Sequence, residues 1–131
     1  MQKLKRIMIN GKTYPIKMDL NVLETIQNEY GTINEFERDI LGLKFAKDPE
    51  GKQIYNEDGE PRMYVGETSI KAIKVALPTM INEGLSIEAE ELGKEFEPVE
   101  DNYIFRNCNV SYELLGKMIH EEFKRCFEVK K

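Results

Sequence analysis

Few side chains in this sequence combine the type and spacing that covalent chemistry needs. His120 is the one histidine, and Cys108 and Cys126 are the two cysteines. A nucleophilic triad requires a base beside its nucleophile, and no signature around His120 supplies that pairing. Helical spacing places His120 with Lys117 and Lys124, opposite Leu115 and Ile119, so it is expected to face solvent. The cysteines stand too far apart for a Cys-x-x-Cys redox or zinc pair and read as buried thiols in a reducing compartment. Among 24 acids, carboxylate pairs are unavoidable, so a pair of the glycosidase kind carries no information here. No phosphate-binding glycine motif is present. The acid–glycine runs Asp48-Pro-Glu-Gly51 and Asn56-Glu-Asp-Gly59 lack the oxygen ladder of a calcium loop. The expectation is a non-enzymatic chain with no metal and no cofactor; an enzyme with a diffuse carboxylate site has nothing positive in its favour.

The bulk numbers agree with a binding role. A chain of 131 residues, 40% apolar and 33% charged, fits one domain with one core. No apolar run reaches the length of a membrane span, and the basic start "MQKLKRIMINGK" lacks the apolar stretch and cleavage site of a signal peptide. A cytoplasmic protein without membrane contact is therefore expected. The net charge of −5 is unevenly spread. Residues 86–101 hold Glu88, Glu90, Glu91, Glu95, Glu97, Glu100 and Asp101 against Lys94 alone, whereas residues 1–17 hold Lys3, Lys5, Arg6, Lys12 and Lys17 without an acid. A general nucleic-acid binder has the opposite overall balance.

The elements that would carry such a surface follow from local signals. Asn10-Gly11 marks a two-residue hairpin turn between strands at 4–9 and 13–18, with Pro15 confining its strand to a sheet edge. The basic residues there either guard that edge against wrong pairing or form a binding patch. Asp19 caps a helix bearing Val22, Leu23, Ile26 and Tyr30. Gly31 is expected to stop it in the left-handed region, and Thr32 with Glu35 opens a second helix. Residues 43–66 hold two turn clusters and read as a β-hairpin or three-stranded meander projecting from a helical body. Thr68 or Ser69 opens a helix with a stripe of Ile70, Ile73, Leu77, Met80 and Ile81. Pro78 is expected to kink or divide that helix, and Gly84 to end it. A short acidic helix capped by Ser86 should follow, touching the core through Ile87, Leu92 and Phe96. Residues 97–108 read as a loop or a short extended piece.

The final helix, from Asn109 or Ser111 to about Phe127, is the strongest of all. Tyr112, Leu115, Ile119, Phe123 and Cys126 share a face, which Leu114, Met118 and Phe127 widen. Glu113/Lys117 and Glu121/Arg125 have ion-pair spacing. Glu122 falls on the apolar face, where it requires a partner. The fold class expected is α+β: a mainly helical single domain over 1–131, with a hairpin at 1–18, a helical hairpin at 19–42, a β insertion at 43–66, helices over 67–96 and a final helix at 109–128. Two places carry more apolar surface than a small core uses. They are the insertion (Tyr55, Met63, Tyr64) and the final helix (Leu114, Leu115, Met118, Ile119, Phe123), and these eight residues are the candidate partner contacts.

Two stretches also resemble a known family. "INGKTYPIKMDLNVLETIQNEYGTINEF" resembles the start of the tail assembly chaperones of long-tailed, siphovirus-type bacteriophages and prophages of Gram-positive bacteria. Ile9-Asn10-Gly11-Lys12, Tyr14, Asp19, Asn21, Leu23, Ile26, Tyr30 and Gly31 carry the resemblance. "IKVALPTMINEGLSIEAEELGK" is similar to the family's middle segment. The likeness covers 5–42 and 70–95, not the insertion or the residues beyond 97. It implies a cytoplasmic, non-enzymatic protein of virion morphogenesis that binds the tape measure protein, helps recruit tail tube protein, self-associates as a homo-oligomer and is absent from the mature virion. It also implies a longer frameshifted form, for which Lys130-Lys131 would supply the slippery site. The competing reading is a small prophage-encoded nucleic-acid-binding regulator. It would use Lys3, Lys5, Arg6, Lys12 and Lys17, or Lys117, Lys124 and Arg125.

Overall fold

A computed structural model describes residues 3–128 of the chain. The Lys130-Lys131 end lies outside them. The chain opens with β1 (Lys5–Ile9) and β2 (Lys12–Ile16), paired antiparallel with Ile9 opposite Lys12 and Ile7 opposite Tyr14. Asn10 at φ 53° and Gly11 at φ 79° form the expected turn, both in the left-handed region that such a turn needs. Ile7, Ile9, Tyr14 and Ile16 enter the core from one face of this ribbon. Two helices follow, α1 (Leu20–Glu29) and α2 (Ile33–Ile40). The Asp19 carboxylate accepts from the Val22 N–H at 3.2 Å, and the Thr32 hydroxyl accepts from the Glu35 N–H at 3.1 Å. Gly31 is not left-handed, contrary to the expected stop. The helix ends at Tyr30 with φ −116° and ψ −63°, and Thr32 starts the next one directly.

The helix after the insertion departs most from expectation. α3 (Ile70–Leu92), capped by the Ser69 hydroxyl on the Ala72 N–H, runs through both Pro78 and Gly84. Burial explains why. Ala72, Ile73, Ala76, Leu77, Met80 and Ile81 are all in the core, so α3 is the beam on which α1 and β2 pack. That burial outweighs the roughly 3 kcal/mol that proline costs inside a helix. Gly84 is a contact residue and not a stop: a Cβ there would meet the Pro15 carbonyl carbon and oxygen at 2.7 Å. Beside it the Lys17 N–H donates to the Met80 carbonyl at 3.1 Å. The edge of β2 that Pro15 leaves without a donor is thus covered by α3. The helix ends at Gly93, at φ 65°. No separate acidic helix forms, Ser86 lies mid-helix, and Leu92 and Phe96 are exposed.

Two more helices complete the α+β fold: α4 (Asp101–Asn107), where a loop was expected, and α5 (Tyr112–Cys126), capped by Ser111. The Asn82 side chain fixes the approach to α4. Its amide donates to the Val99 carbonyl at 3.1 Å and accepts from the Val99 N–H at 2.8 Å. Ile104 then enters the core from α4. Across α5, Gly116 lies where a Cβ would meet Thr68 Cγ2 at 2.8 Å and the Ile40 carbonyl at 3.0 Å, which sets α5 close against the end of α2.

Candidate partner-binding surface

The insertion is a stem with two arms. Its stem pairs β3 (Leu43–Phe45) with β4 (Met63–Val65), antiparallel, with Phe45 opposite Met63 and Leu43 opposite Val65. Gly42 and Gly66 pinch the base of the stem, where the Gly66 N–H donates to the Gly42 carbonyl at 2.6 Å. Gly42 has φ 75°, and a Cβ on it would meet the Gly66 carbonyl oxygen at 2.6 Å. Above the stem the chain makes two successive tight hairpins, closed by the Lys47–Gln53 and Tyr55–Pro61 bridges. Their loops, 48–52 and 56–60, share one design. The first residue's N–H and carbonyl both bond within the loop, and the fourth is a left-handed glycine, Gly51 at φ 84° or Gly59 at φ 87°. Asp48 Oδ1 accepts from the Glu50 and Lys52 N–H groups, and Asp58 Oδ1 from the Glu60 N–H.

Where the three limbs meet, backbone hydrogen bonds form a ring: Ala46 N–H to the Arg62 carbonyl, Arg62 N–H to the Ile54 carbonyl, Ile54 N–H to the Ala46 carbonyl. The Gln53 side-chain nitrogen sits at the centre, 3.0, 2.8 and 3.4 Å from the Ala46, Ile54 and Arg62 carbonyls. A two-stranded ribbon alone is marginal in water. This junction braces the projection without a core of its own.

Braced in this way, the insertion holds aromatic and apolar side chains in solvent. Tyr55 is 59% exposed and Tyr64 56%, and Met63, Phe45 and Val65 are exposed as well. Phe45, Met63, Leu43 and Val65 share one face of the stem by register. The Arg38 guanidinium lies 5.0 Å from the centre of the Phe45 ring. The base of the stem opens into a groove of about 510 Å³, lined by Ile40, Leu41, Val65 and Thr68 on one side and Tyr112, Gly116, Lys117 and His120 of α5 on the other. The insertion reaches this groove only through Val65 and Gly66, and Glu67, Glu113, Glu121 and Lys124 add charge to its lining.

None of the eight candidate contacts lines the groove, and they divide by exposure. Tyr55, Met63, Tyr64 and Leu114 are exposed and Met118 is half-buried. Leu115, Ile119 and Phe123 are core residues, packed against α2 and α3, and are withdrawn as partner contacts. Helical spacing shows which residues share a face; it does not show which part of a wide apolar face the rest of the chain will cover.

Several charged groups also sit differently from expectation. His120 is not a solvent-facing residue. Its side chain is 16% exposed, its Nε2 lies 2.9 Å from Glu37 Oε2, and its ring stacks on Phe123 at 6.0 Å. Only tertiary structure brings Glu37 there, and no sequence signal marked it. Glu122 is buried, and Arg125 bonds it at 3.1 Å; of the two i,i+4 pairs expected, Arg125 thus serves Glu122 and not Glu121. Burial pushes the Glu122 carboxyl up, while Arg125, Lys17 and Lys5 oppose that shift. Two of the hairpin cations are engaged too: Arg6 bonds Glu88 at 2.7 Å, and Lys12 lies over the Tyr14 ring. Glu83 is raised by hydrogen bonding with Asp19 and by burial, and Asn21 donates to it at 2.9 Å.

Among the described residues no three His, Cys, Asp or Glu side chains converge as a metal site, and no helix is long and apolar enough to cross a membrane. No family model matches the chain, and comparison with curated proteins and with solved structures finds no match.

Proposed function

We propose that this chain is a non-enzymatic protein-binding module that shelters apolar segments of a partner, and that it acts as a tail assembly chaperone on a tape measure protein. One observation carries the reading: a braced projection holds Tyr55, Met63, Tyr64 and Phe45 in solvent beside a groove that α5 walls. Exposed apolar area of this kind marks interaction surfaces, and aromatics and methionine are enriched in them. A tape measure protein is a long helical chain with apolar faces that stay uncovered until the tail tube encloses it. A partner with an apolar contact face and a net charge of −5 would cover those faces and keep the complex dispersed. Repeated weak contacts along one client add through avidity, which favours several copies per client and self-association between them. Recruitment of tube subunits and absence from the finished particle belong to the same proposal.

The test is co-expression. The long coiled-coil-rich client should stay in the soluble fraction with this chain and precipitate without it. A triple variant, Tyr55→Ser, Met63→Ser and Tyr64→Ser, should lose most of that effect while melting like the parent. Equal precipitation of the client with and without the parent chain would end the proposal.

A further inference from the structure

The stem of the insertion leaves one strand edge open. Its bonded pairs are fixed by the Gly66 N–H on the Gly42 carbonyl at 2.6 Å and the Ala46 N–H on the Arg62 carbonyl at 2.8 Å, with Lys44 opposite Tyr64 between them. Alternation then turns the N–H and carbonyl groups of Met63 and Val65 away from β3. Among the described residues no other strand pairs with β4, and outside the β3–β4 ladder no backbone hydrogen bond reaches Met63 or Val65. On the opposite side α2 packs against β3, where Leu43 and Lys44 are half-buried. All three residues of β4 are exposed, Val65 by 77%.

An open row of N–H and carbonyl groups recruits another strand, so sheets blunt exposed edges with charge, proline or a covering element. The first hairpin obeys this rule: β1 carries Lys5 and Arg6, and α3 covers β2 where the Lys17 N–H bonds Met80. β4 does not, because Met63, Tyr64 and Val65 are uncharged, unbulged and free of proline. The edge also matches itself. Its outward groups flank Tyr64, so a twofold axis there sets Met63 against Val65 of a second copy, and Val65 against Met63, each pair exchanging both hydrogen bonds. The two Tyr64 side chains then meet as a close cross-strand pair. The ends agree in charge as well. Arg62 precedes the edge and Glu67 follows it, and neither forms an ion pair among the described residues, although Arg62 Nε donates to Asn56 Oδ1 at 3.0 Å. Antiparallel pairing brings the Arg62 end of one copy alongside the Glu67 end of the other; parallel pairing would set like charges together. These matches belong to the strand itself and pick a second copy over an unrelated segment.

We infer that β4 pairs antiparallel with β4 of a second copy about a twofold axis at Tyr64, joining the two stems into one sheet of order β3-β4-β4-β3. Leu43, Phe45, Met63 and Val65, which share a face of each stem, then form one wider apolar surface across both copies. The edge is far shorter than the roughly 20–30 residues a side of a standard interface, so the pairing is reversible and strengthens when several copies gather on one client. The inference deepens the self-association in the protein-binding reading above, on which it rests, by naming its surface.

Single cysteines placed in a Cys108→Ser, Cys126→Ser background test the register. A close antiparallel pair holds its Cα atoms about 4.5 Å apart, within disulfide reach. Tyr64→Cys should therefore cross-link two copies under mild oxidation at least tenfold faster than Met63→Cys or Val65→Cys, which the register sets farther from their own counterparts. For the unsubstituted chain, the weight-average mass in sedimentation should rise with concentration toward a dimer. Val65→Pro removes an N–H that a single copy does not use, so it should hold the mass at the monomer value while melting within a few degrees of the parent. If that variant melts far below the parent, the cysteine rates alone decide. Equal cross-linking at all three positions, a parent that stays monomeric to millimolar concentration, or a folded Val65→Pro chain that still dimerises would overturn the inference. So would amides at 62–66 that are protected only when a client is present, which would give the edge to the client. A monomeric chain that still keeps a client soluble would remove the twofold pairing and leave the chaperone reading standing. A Tyr64-centred dimer with a client that precipitates regardless would do the reverse.

Discussion

At the scale of single residues, the wide apolar face of α5 divides into a part that holds the chain together and a part left for others. Leu115→Ala should destabilise the fold by about 2–4 kcal/mol, because it empties a buried site. Leu114→Asp, at a position 50% exposed, should leave stability within about 0.5 kcal/mol and weaken client retention instead. Denaturation curves and co-purification measured on the same two variants separate the roles. Glu122 makes a second residue-scale prediction. Its carboxyl is raised by burial, so the folded state binds a proton more tightly than the unfolded state does. Stability from this group is therefore present below the ordinary carboxylate range and is lost as pH rises through the folded value. Arg125 offsets that loss once Glu122 is ionised. Arg125→Leu should cost about 1 kcal/mol at pH 8 and less at pH 5, a small cost because the arginine is half exposed and screened by water. Urea melts at the two pH values check the difference, and an equal cost at both would contradict the assignment.

At the scale of elements, the sharpest prediction concerns Gly84. Replacing a mid-helix glycine by alanine ordinarily stabilises by about 1 kcal/mol. Here the added methyl would meet the backbone of Pro15 at 2.7 Å, so Gly84→Ala should destabilise by about 1–3 kcal/mol, a reversal of sign that thermal melting can read. The junction in the insertion makes another. Gln53→Ala removes the amide whose two N–H groups lie within reach of three carbonyls at the branch point. The amides of Ala46, Ile54 and Arg62 should then exchange at least tenfold faster, while those of α1 and α3 are unchanged. These elements also show where sequence reading stops. The Asn10-Gly11 turn and the Asp19 and Thr32 caps were legible, and Ser69 and Ser111 each as one of two candidates, because each is satisfied within a few residues of itself. Pro78 as a point of division and Gly84 as a stop misled, because packing on β2 and α1 decides what happens there. α4 was missed because its one buried residue, Ile104, leaves no periodic stripe, and its anchor, the Asn82 clamp on Val99, comes from a distant helix.

At the scale of the whole molecule, net charge is unevenly spread. The acid excess sits at the end of α3 and in the segment leading to α4, and the insertion carries three exposed aromatics, Phe45, Tyr55 and Tyr64, with Phe96, Tyr103 and Phe127 exposed elsewhere. The contact surface was half legible: Tyr55, Met63, Tyr64 and Leu114 stand exposed, but Leu115, Ile119 and Phe123 are buried. With a pI near 5.1, a complex kept dispersed by this charge should lose solubility near pH 5 and recover it at pH 7. The most direct measurement is a hydrogen-exchange footprint of this chain, alone and co-purified with its client. The account predicts slowed exchange across 43–66 and around the start of α5, with the β1–β2 hairpin unchanged. A footprint confined to that hairpin, or the absence of any stable complex, would contradict it.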